Sequence, residues 1–179
     1  MQISDKRYSV IYADPAWTFK TYSSKGEGRS ASQHYKVSSL AEMKALRVED
    51  IAEDNCALFM WATYPNLLEA IELGKAWGFN YKTVAFTWVK RNKKADSYFV
   101  GMGYYTRANA EICILFTRGK PLTRMSKSVR QVCDARIMRH SEKPGEIRER
   151  IVELFGDLPR IELFSREKVR GWDCWGNEV

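Results

Sequence analysis

Apolar positions along this chain switch between unbroken runs and helical spacing. Tyr8 to Ala13 (Tyr-Ser-Val-Ile-Tyr-Ala) is rich in β-branched and aromatic residues, and Asp14-Pro15 closes it, which predicts a strand that stops at once. Cys56 to Ala62 is continuously apolar, the mark of a strand buried on both faces. Lys82 to Val89, Ala110 to Thr117 and Arg160 to Ser165 read as further strands, with a weaker one at Gln131 to Ala135. Between them, Ser38 or Ser39 caps a helix through Leu46, Glu42 standing at capping-box spacing from Ser39. Pro65 opens a helix carrying Leu67, Leu68, Ile71 and Ala76 and ending at Gly78. Lys143-Pro144 begins another, with Ile147, Ile151, Leu154 and Phe155 on one face and Gly156 at its end. The alternation predicts an α/β fold, a doubly wound and mostly parallel sheet.

Thr18 to Gln33 interrupts this order with serines, glycines and lysines, and reads as a surface loop able to close over a substrate or merely to connect. No repeat or linker divides the chain, so residues 1–179 are expected to form a single domain, burying about 70% of the extended-chain surface. Gly171 to Val179 is compact and holds Trp172 and Trp175.

Composition narrows the setting. A hydrophobic fraction of 45% and a charged fraction of 28% are those of a soluble globular protein. No window approaches the roughly 18 apolar residues of a membrane helix, and Met1 to Arg7 lacks a signal-peptide core, so a cytoplasmic setting is expected. Cys56, Cys113, Cys133 and Cys174 are scattered without paired spacing, which favours buried free thiols over disulfides or zinc. With His34 and His140 as the sole imidazoles, no metal site is expected.

The net charge of +7 favours a polyanionic partner, and the charge is clustered. Lys90-Arg91-Asn92-Lys93-Lys94 is one run; Arg118 to Arg130 carries Lys120, Arg124 and Lys127 with no acid. Trp88, Tyr98, Phe99, Tyr104 and Tyr105 lie nearby in sequence. Cations for phosphates beside rings for bases point to a nucleic-acid surface, the alternative being solvated loops that serve solubility.

The candidate chemistry sits at Asp14-Pro15-Ala16-Trp17, the carboxyl end of the first strand, where open α/β sheets place ligands. A carboxylate accepts hydrogen bonds, Pro15 stiffens the backbone, and Trp17 offers a face for a planar ring carrying an NH2 group. The same four residues also fit an ordinary strand exit with a core-facing tryptophan.

Asp14-Pro15-Ala16-Trp17 resembles the D-P-P-W motif of the MT-A70 class of adenine-N6 methyltransferases. The likeness continues through His34-Tyr35, Leu58 to Trp61, Phe86 to Lys90 and Asn109-Ala110-Glu111. It resumes at His140 to Pro144, Ile161 to Arg166, Gly171-Trp172 and Trp175 to Glu178, in the family's order over nearly the whole chain. The resemblance implies a Rossmann-like methyltransferase fold, circularly permuted so that the catalytic strand precedes the strand contacting S-adenosylmethionine. It implies cofactor contacts at Asp14, Lys143, Arg166, Asn177 and Glu178, and catalysis by Asp14 and the Pro15 carbonyl within the motif Asp14, Pro15, Ala16 and Trp17. For the substrate it implies Trp17, His34, Tyr35 and Glu111, to which the basic runs add Lys93, Lys94, Arg124 and Lys127. Ala16 departs from the motif's second proline, and Ser165 stands where relatives often have glycine or alanine. No G-x-G-x-x-G fingerprint supports the cofactor independently. The expected activity is methylation of adenine N6 in DNA, with RNA, or a catalytically silent nucleic-acid-binding subunit, as alternatives. A homodimer gripping the strand with both subunits is a further hypothesis.

Overall fold

The computed structural model describes residues 3–17, 39–139, 142–177 and 179. Seven strands form one sheet: β1 (Tyr8–Ala13), β2 (Ala52–Ala62), β3 (Asn80–Arg91), β4 (Ala110–Arg118), β5 (Val132–Arg136), β6 (Arg160–Leu163) and β7 (Asp173–Trp175). Among the described residues, three α-helices accompany them: α1 (Leu40–Lys44), α2 (Leu67–Ala76) and α3 (Glu146–Phe155). The strands lie in the order β5-β3-β4-β2-β1-β6-β7. β1 runs parallel to β2 and β6, β6 to β7 and β3 to β5; β4 opposes both of its neighbours. The mostly parallel α/β sheet is therefore as expected, and the first strand in the chain lies beside the penultimate one.

The sheet is buried on both faces, which is why its central strands read as runs and not as alternations. Ile11 and Ala13 of β1, Leu58 and Met60 of β2 and Phe116 of β4 pack under α1 and α2, with Met43, Leu73 and Trp77. Val10, Tyr12, Phe59 and Trp61 face the other way, under Ile147, Ile151 and Phe155 of α3. Central position decides this pattern: β1 and β2 each have a hydrogen-bonded neighbour on both sides and a helix layer above and below.

Several boundaries move. Ser39 makes the full capping box with Glu42, but α1 ends at Lys44. The helix after Pro65 starts with a 3-10 turn, Tyr64–Asn66, before α2. Its buried residues are Ala70, Leu73 and Gly74, while Leu68 is exposed, so the apolar face is rotated from the one expected. Small residues face the sheet because the Phe116 ring lies against them; a Cβ on Gly74 would meet it at 2.4 Å. α3 ends as expected at Gly156, whose φ of +79° favours glycine. The strand expected through Ser165 stops at Leu163, since Phe164 takes φ +62°. β7 adds a short strand on the outer side of β6. All four cysteines are free, and three of them are buried.

Candidate active site

Because β1, β2, β3, β6 and β7 run the same way, their carboxyl ends meet along one edge, joined there by the amino end of β4. Asp14 leaves β1 at this edge, its N–H directed at the Leu163 carbonyl of β6 at 3.5 Å. Lys143, just ahead of α3, reaches in from the layer above and donates to Asp14 Oδ2 at 2.9 Å. Its Nζ also lies 3.3 Å from Glu111 Oε2 on β4 and 5.7 Å from the centre of the Trp61 ring. The opposite oxygen of Glu111, Oε1, is paired with Lys90 of β3. Two carboxylates and two ammonium groups thus form one chain, Asp14–Lys143–Glu111–Lys90. Lys143 is only 7% exposed and Glu111 13%.

Burial sets the electrostatics of this chain, and the pairing decides who stays charged. Burial pushes the Asp14 carboxyl above the usual aspartate range; Lys143 and Arg166 work against that, and the Glu111 charge adds to it. Burial works against the Glu111 charge as well, but Lys143 and Lys90 outweigh it and hold that carboxyl below its ordinary value. For Lys143 burial opposes the ammonium, and Asp14 with Glu111 overcomes it, so its pKa is raised. The carboxylate at the strand exit is therefore the least firmly ionised member, poised by its neighbours.

The backbone after Asp14 is fixed locally. Trp17 N–H donates to the Pro15 carbonyl at 2.9 Å, closing a three-residue turn about Ala16. That leaves one of the two Pro15 lone pairs for another donor. The Trp17 indole donates to the Trp61 carbonyl at 2.8 Å, and the ring is 7% exposed within the α1–α2 side of the core. Of the two sequence readings of Trp17, the core-facing one describes its placement: the ring anchors the turn that presents Asp14 and Pro15.

Other expected residues divide clearly. Asp14, Glu111 and Lys143 are brought together, and Arg166 is near enough for its charge to act on Asp14. Asn177 is exposed just beyond β7, whose carboxyl end is at the same edge. Ser165 is buried, its N–H donating to the Trp175 carbonyl at 3.0 Å, and Gly176 packs so close that a Cβ would sit 2.1 Å from the Ser165 carbonyl oxygen. His34, Tyr35 and Glu178 lie outside the described residues.

The basic runs need correcting as a single surface. Lys93 and Lys94 are exposed in the β3–β4 loop at the Asp14 edge. Arg124 and Lys127 are exposed in the β4–β5 connection, at the opposite edge, because antiparallel β4 carries the chain back across the sheet. There Met125 N–H donates to the carbonyl of Leu154, near the far end of α3. Lys90 and Arg91 also leave the open run: Lys90 turns onto Glu111, and Arg91 grips Asp134 through two hydrogen bonds of 2.6 and 2.9 Å.

Lys90 is the site residue that the sequence reading left without a role. Its signal was cross-strand register: Glu111 faces Trp88, and Lys90 is two residues on, hence the diagonal neighbour on the same face. Phe164 is a second such residue. Its left-handed backbone follows β6 beside Asp14, held by its ring stacking on Trp77 at 6.3 Å and meeting Trp175 edge-on at 5.8 Å.

Comparison with known proteins agrees with this arrangement. The family model described as MT-A70 matches residues 8–178. The chain is 39% identical to the type II methyltransferase M.MunI of a Mycoplasma species, over 99% of this chain and 80% of that protein. It is 28% identical to the N(6)-adenosine-methyltransferase MT-A70-like protein of Drosophila melanogaster, over 97% of this chain and 27% of that one. It is 25% identical to the N(6)-adenine-specific methyltransferase METTL4 of Homo sapiens, over 97% of this chain and 38% of that protein. A match across almost every residue, with the motif carboxylate at one end of a buried charge chain, places this protein in a family: the chain belongs to the MT-A70 family.

Proposed function

We propose that this chain, as a single methyltransferase domain, transfers a methyl group from S-adenosylmethionine to the exocyclic N6 amine of adenine in DNA. The observation that carries the reading is Asp14 at the sheet's carboxyl edge, with Oδ2 taken by Lys143 and Oδ1 without a hydrogen-bond partner among the described residues. The donor set fits the methyl donor: a carboxylate suits its ammonium, and Lys143 and Arg166 suit its carboxylate. When bound, that group supplies a methyl carbon made electrophilic by a sulfonium.

The chain's own residues do the rest. An adenine amine is a poor nucleophile because its lone pair is shared with the ring. Asp14 Oδ1 and the remaining lone pair of the Pro15 carbonyl each accept one amine hydrogen. Held at two fixed points, the nitrogen becomes pyramidal and its lone pair leaves conjugation. The Trp17 turn keeps the carbonyl aimed, so the gain comes from alignment and fixed dipoles. The ionised Asp14 is the stronger acceptor, and Lys143 favours that form against burial. A proton is then lost readily from the quaternised nitrogen, so Asp14 need not be a strong base.

DNA is favoured because the relative at 39% identity is a type II methyltransferase, a class acting on DNA. Tritiated-methyl transfer to duplex DNA, single-stranded DNA and RNA tests the reading. Label should appear on DNA and vanish with Asp14→Ala while nucleic-acid retention persists; label on RNA alone would overturn the choice of substrate.

A further inference from the structure

The β3–β4 loop is a hydrogen-bonded support that carries an exposed ring near its tip. It springs from Arg91 and returns at Ala110, one residue before Glu111, so it rises from the Asp14 edge of the sheet. Its two arms are laced together: Lys90 N–H donates to the Asn109 carbonyl at 2.9 Å, Phe99 N–H to Lys90 at 2.8 Å and Gly101 N–H to Ala108 at 2.9 Å. Near the tip the arms close further, since a Cβ would stand 2.7 Å from the Ala108 oxygen at Gly101 and 2.3 Å from the Thr106 oxygen at Gly103. At the base, Arg136 donates to the carbonyls of Asn92, Lys93 and Ala95.

This framework ends in an exposed aromatic. Tyr105 takes a left-handed backbone, φ +63°, and is fully solvent-exposed, with Val100 and Met102 also largely exposed. A left-handed conformation is costly for a bulky residue, and here no ring or side-chain contact among the described residues compensates for it. The loop's charge indicates what compensates. Lys93, Lys94 and Arg107 are exposed and make no ion pair among the described residues. Asp96, the one acid between Asn92 and Asn109, is taken by Arg91 at 2.9 Å and Arg136 at 3.8 Å. A ring and apolar side chains set among uncompensated cations fit nucleic acid, in which bases offer stacking faces between phosphates.

We propose that this loop is a finger that enters the nucleic acid beside the reacting base, Tyr105 stacking on the bases next to the extruded adenine while Lys93, Lys94 and Arg107 hold the phosphates. Resting on the methyltransferase reading above, the inference concerns how the duplex is gripped once a base has left the stack.

The test is equilibrium binding of a fluorescein-labelled adenine-containing duplex to wild type, Tyr105→Ala and Tyr105→Phe, measured by anisotropy across a salt series, with sedimentation velocity on each protein. Loss of one stacking ring weakens binding about 5- to 150-fold in Tyr105→Ala. Tyr105→Phe stays within about twofold, and the salt slope is unchanged because no phosphate contact is removed. The outward side chain leaves folding intact, checked by equal melting temperatures. Tyr105→Ala binding as tightly as wild type overturns the finger while leaving the methyl-transfer reading standing. So does a substitution that shifts the sedimentation of the free protein, which would make the loop a contact between copies. Wild type that neither binds nor methylates any nucleic acid fails the function reading, and the finger with it.

Discussion

Lys143 is the residue through which the candidate site is most sharply testable. Replacing it with methionine keeps the apolar stem of the side chain and deletes the ammonium that stands between Asp14 and Glu111. Glu111 retains Lys90, so half of the neutralisation survives there. Asp14 retains only the field of Arg166 against burial. Breaking a buried pair by removing one partner costs about 3–5 kcal/mol, and the surviving partners place this case at about 3 kcal/mol. For a chain of this size, about 2–4 °C of melting temperature accompanies each kcal/mol, so Lys143→Met should melt roughly 6–12 °C below wild type at neutral pH. The pH dependence follows from the directions of the shifts. Lys143 has a raised pKa, so its stabilisation is complete below the ordinary lysine value of 10.5 and is lost as pH rises through its folded value. Glu111 has a lowered pKa, so its share is present above the ordinary 4.5 and is lost as pH falls through its folded value. Asp14, raised, costs stability once ionised, and less so while Lys143 is present. The gap between the two proteins should therefore be widest between about pH 5 and 10 and should narrow in acid as both carboxylates protonate. Adding Glu111→Gln to Lys143→Met should recover part of the loss, because one of two facing carboxylates is gone. Calorimetry of the three proteins across pH decides it. Equal melting of wild type and Lys143→Met at pH 7 would refute the buried charge chain as a stabilising unit.

Two further outcomes follow from the same geometry. Ala16→Pro should raise stability by about 0.4–1 kcal/mol, read as a small rise in melting temperature with methyl transfer kept. The turn closed by Trp17 N–H on the Pro15 carbonyl suits a fixed φ near −65°, and the Ala16 N–H makes no hydrogen bond among the described residues; a fall in melting temperature would show the turn to be shaped otherwise. For the basic residues, Lys93→Ala with Lys94→Ala should flatten the slope of log Kd against log salt by about 2, whereas Arg124→Ala with Lys127→Ala should leave it unchanged. Equal effects of the two pairs would mean that nucleic acid reaches both edges of the sheet.

What the sequence disclosed, and what it withheld, divides along physical lines. Strands buried on both faces write themselves as apolar runs, which is why β1 was legible to both ends and β2 and β4 moved at one end each. β7 has three residues and pairs with β6 at the margin of the sheet, so no run announces it. The buried face of α2 was missed because the sheet asks for small residues there, with the Phe116 ring filling the space above Gly74, while Leu68 points to solvent. Hydrophobicity marks burial only where the partner leaves room for a large side chain. At the site, a motif carboxylate announces itself in the residues, whereas Lys143, 129 residues further along the chain, was reached through the family resemblance and as a cofactor contact, not as the partner of Asp14.

Strand direction is the deeper omission, and the reading of charge depends on it. A run of apolar residues is the same whether the strand goes up or down, so nothing in Ala110 to Thr117 says that β4 is antiparallel. Yet that reversal decides everything about the cations. It brings Glu111, at the start of β4, to the Asp14 edge, where it meets Lys143 and withdraws Lys90 from the basic run. It delivers the β3–β4 loop, with Lys93, Lys94 and Tyr105, to that edge, and carries Arg124 and Lys127 to the other. A second parallel strand in the place of β4 would have put Glu111 at the far edge and left Lys143 with Asp14 alone. The charge chain and the aromatic loop are thus consequences of one topological choice, made by the hydrogen-bond register of β4 between β2 and β3.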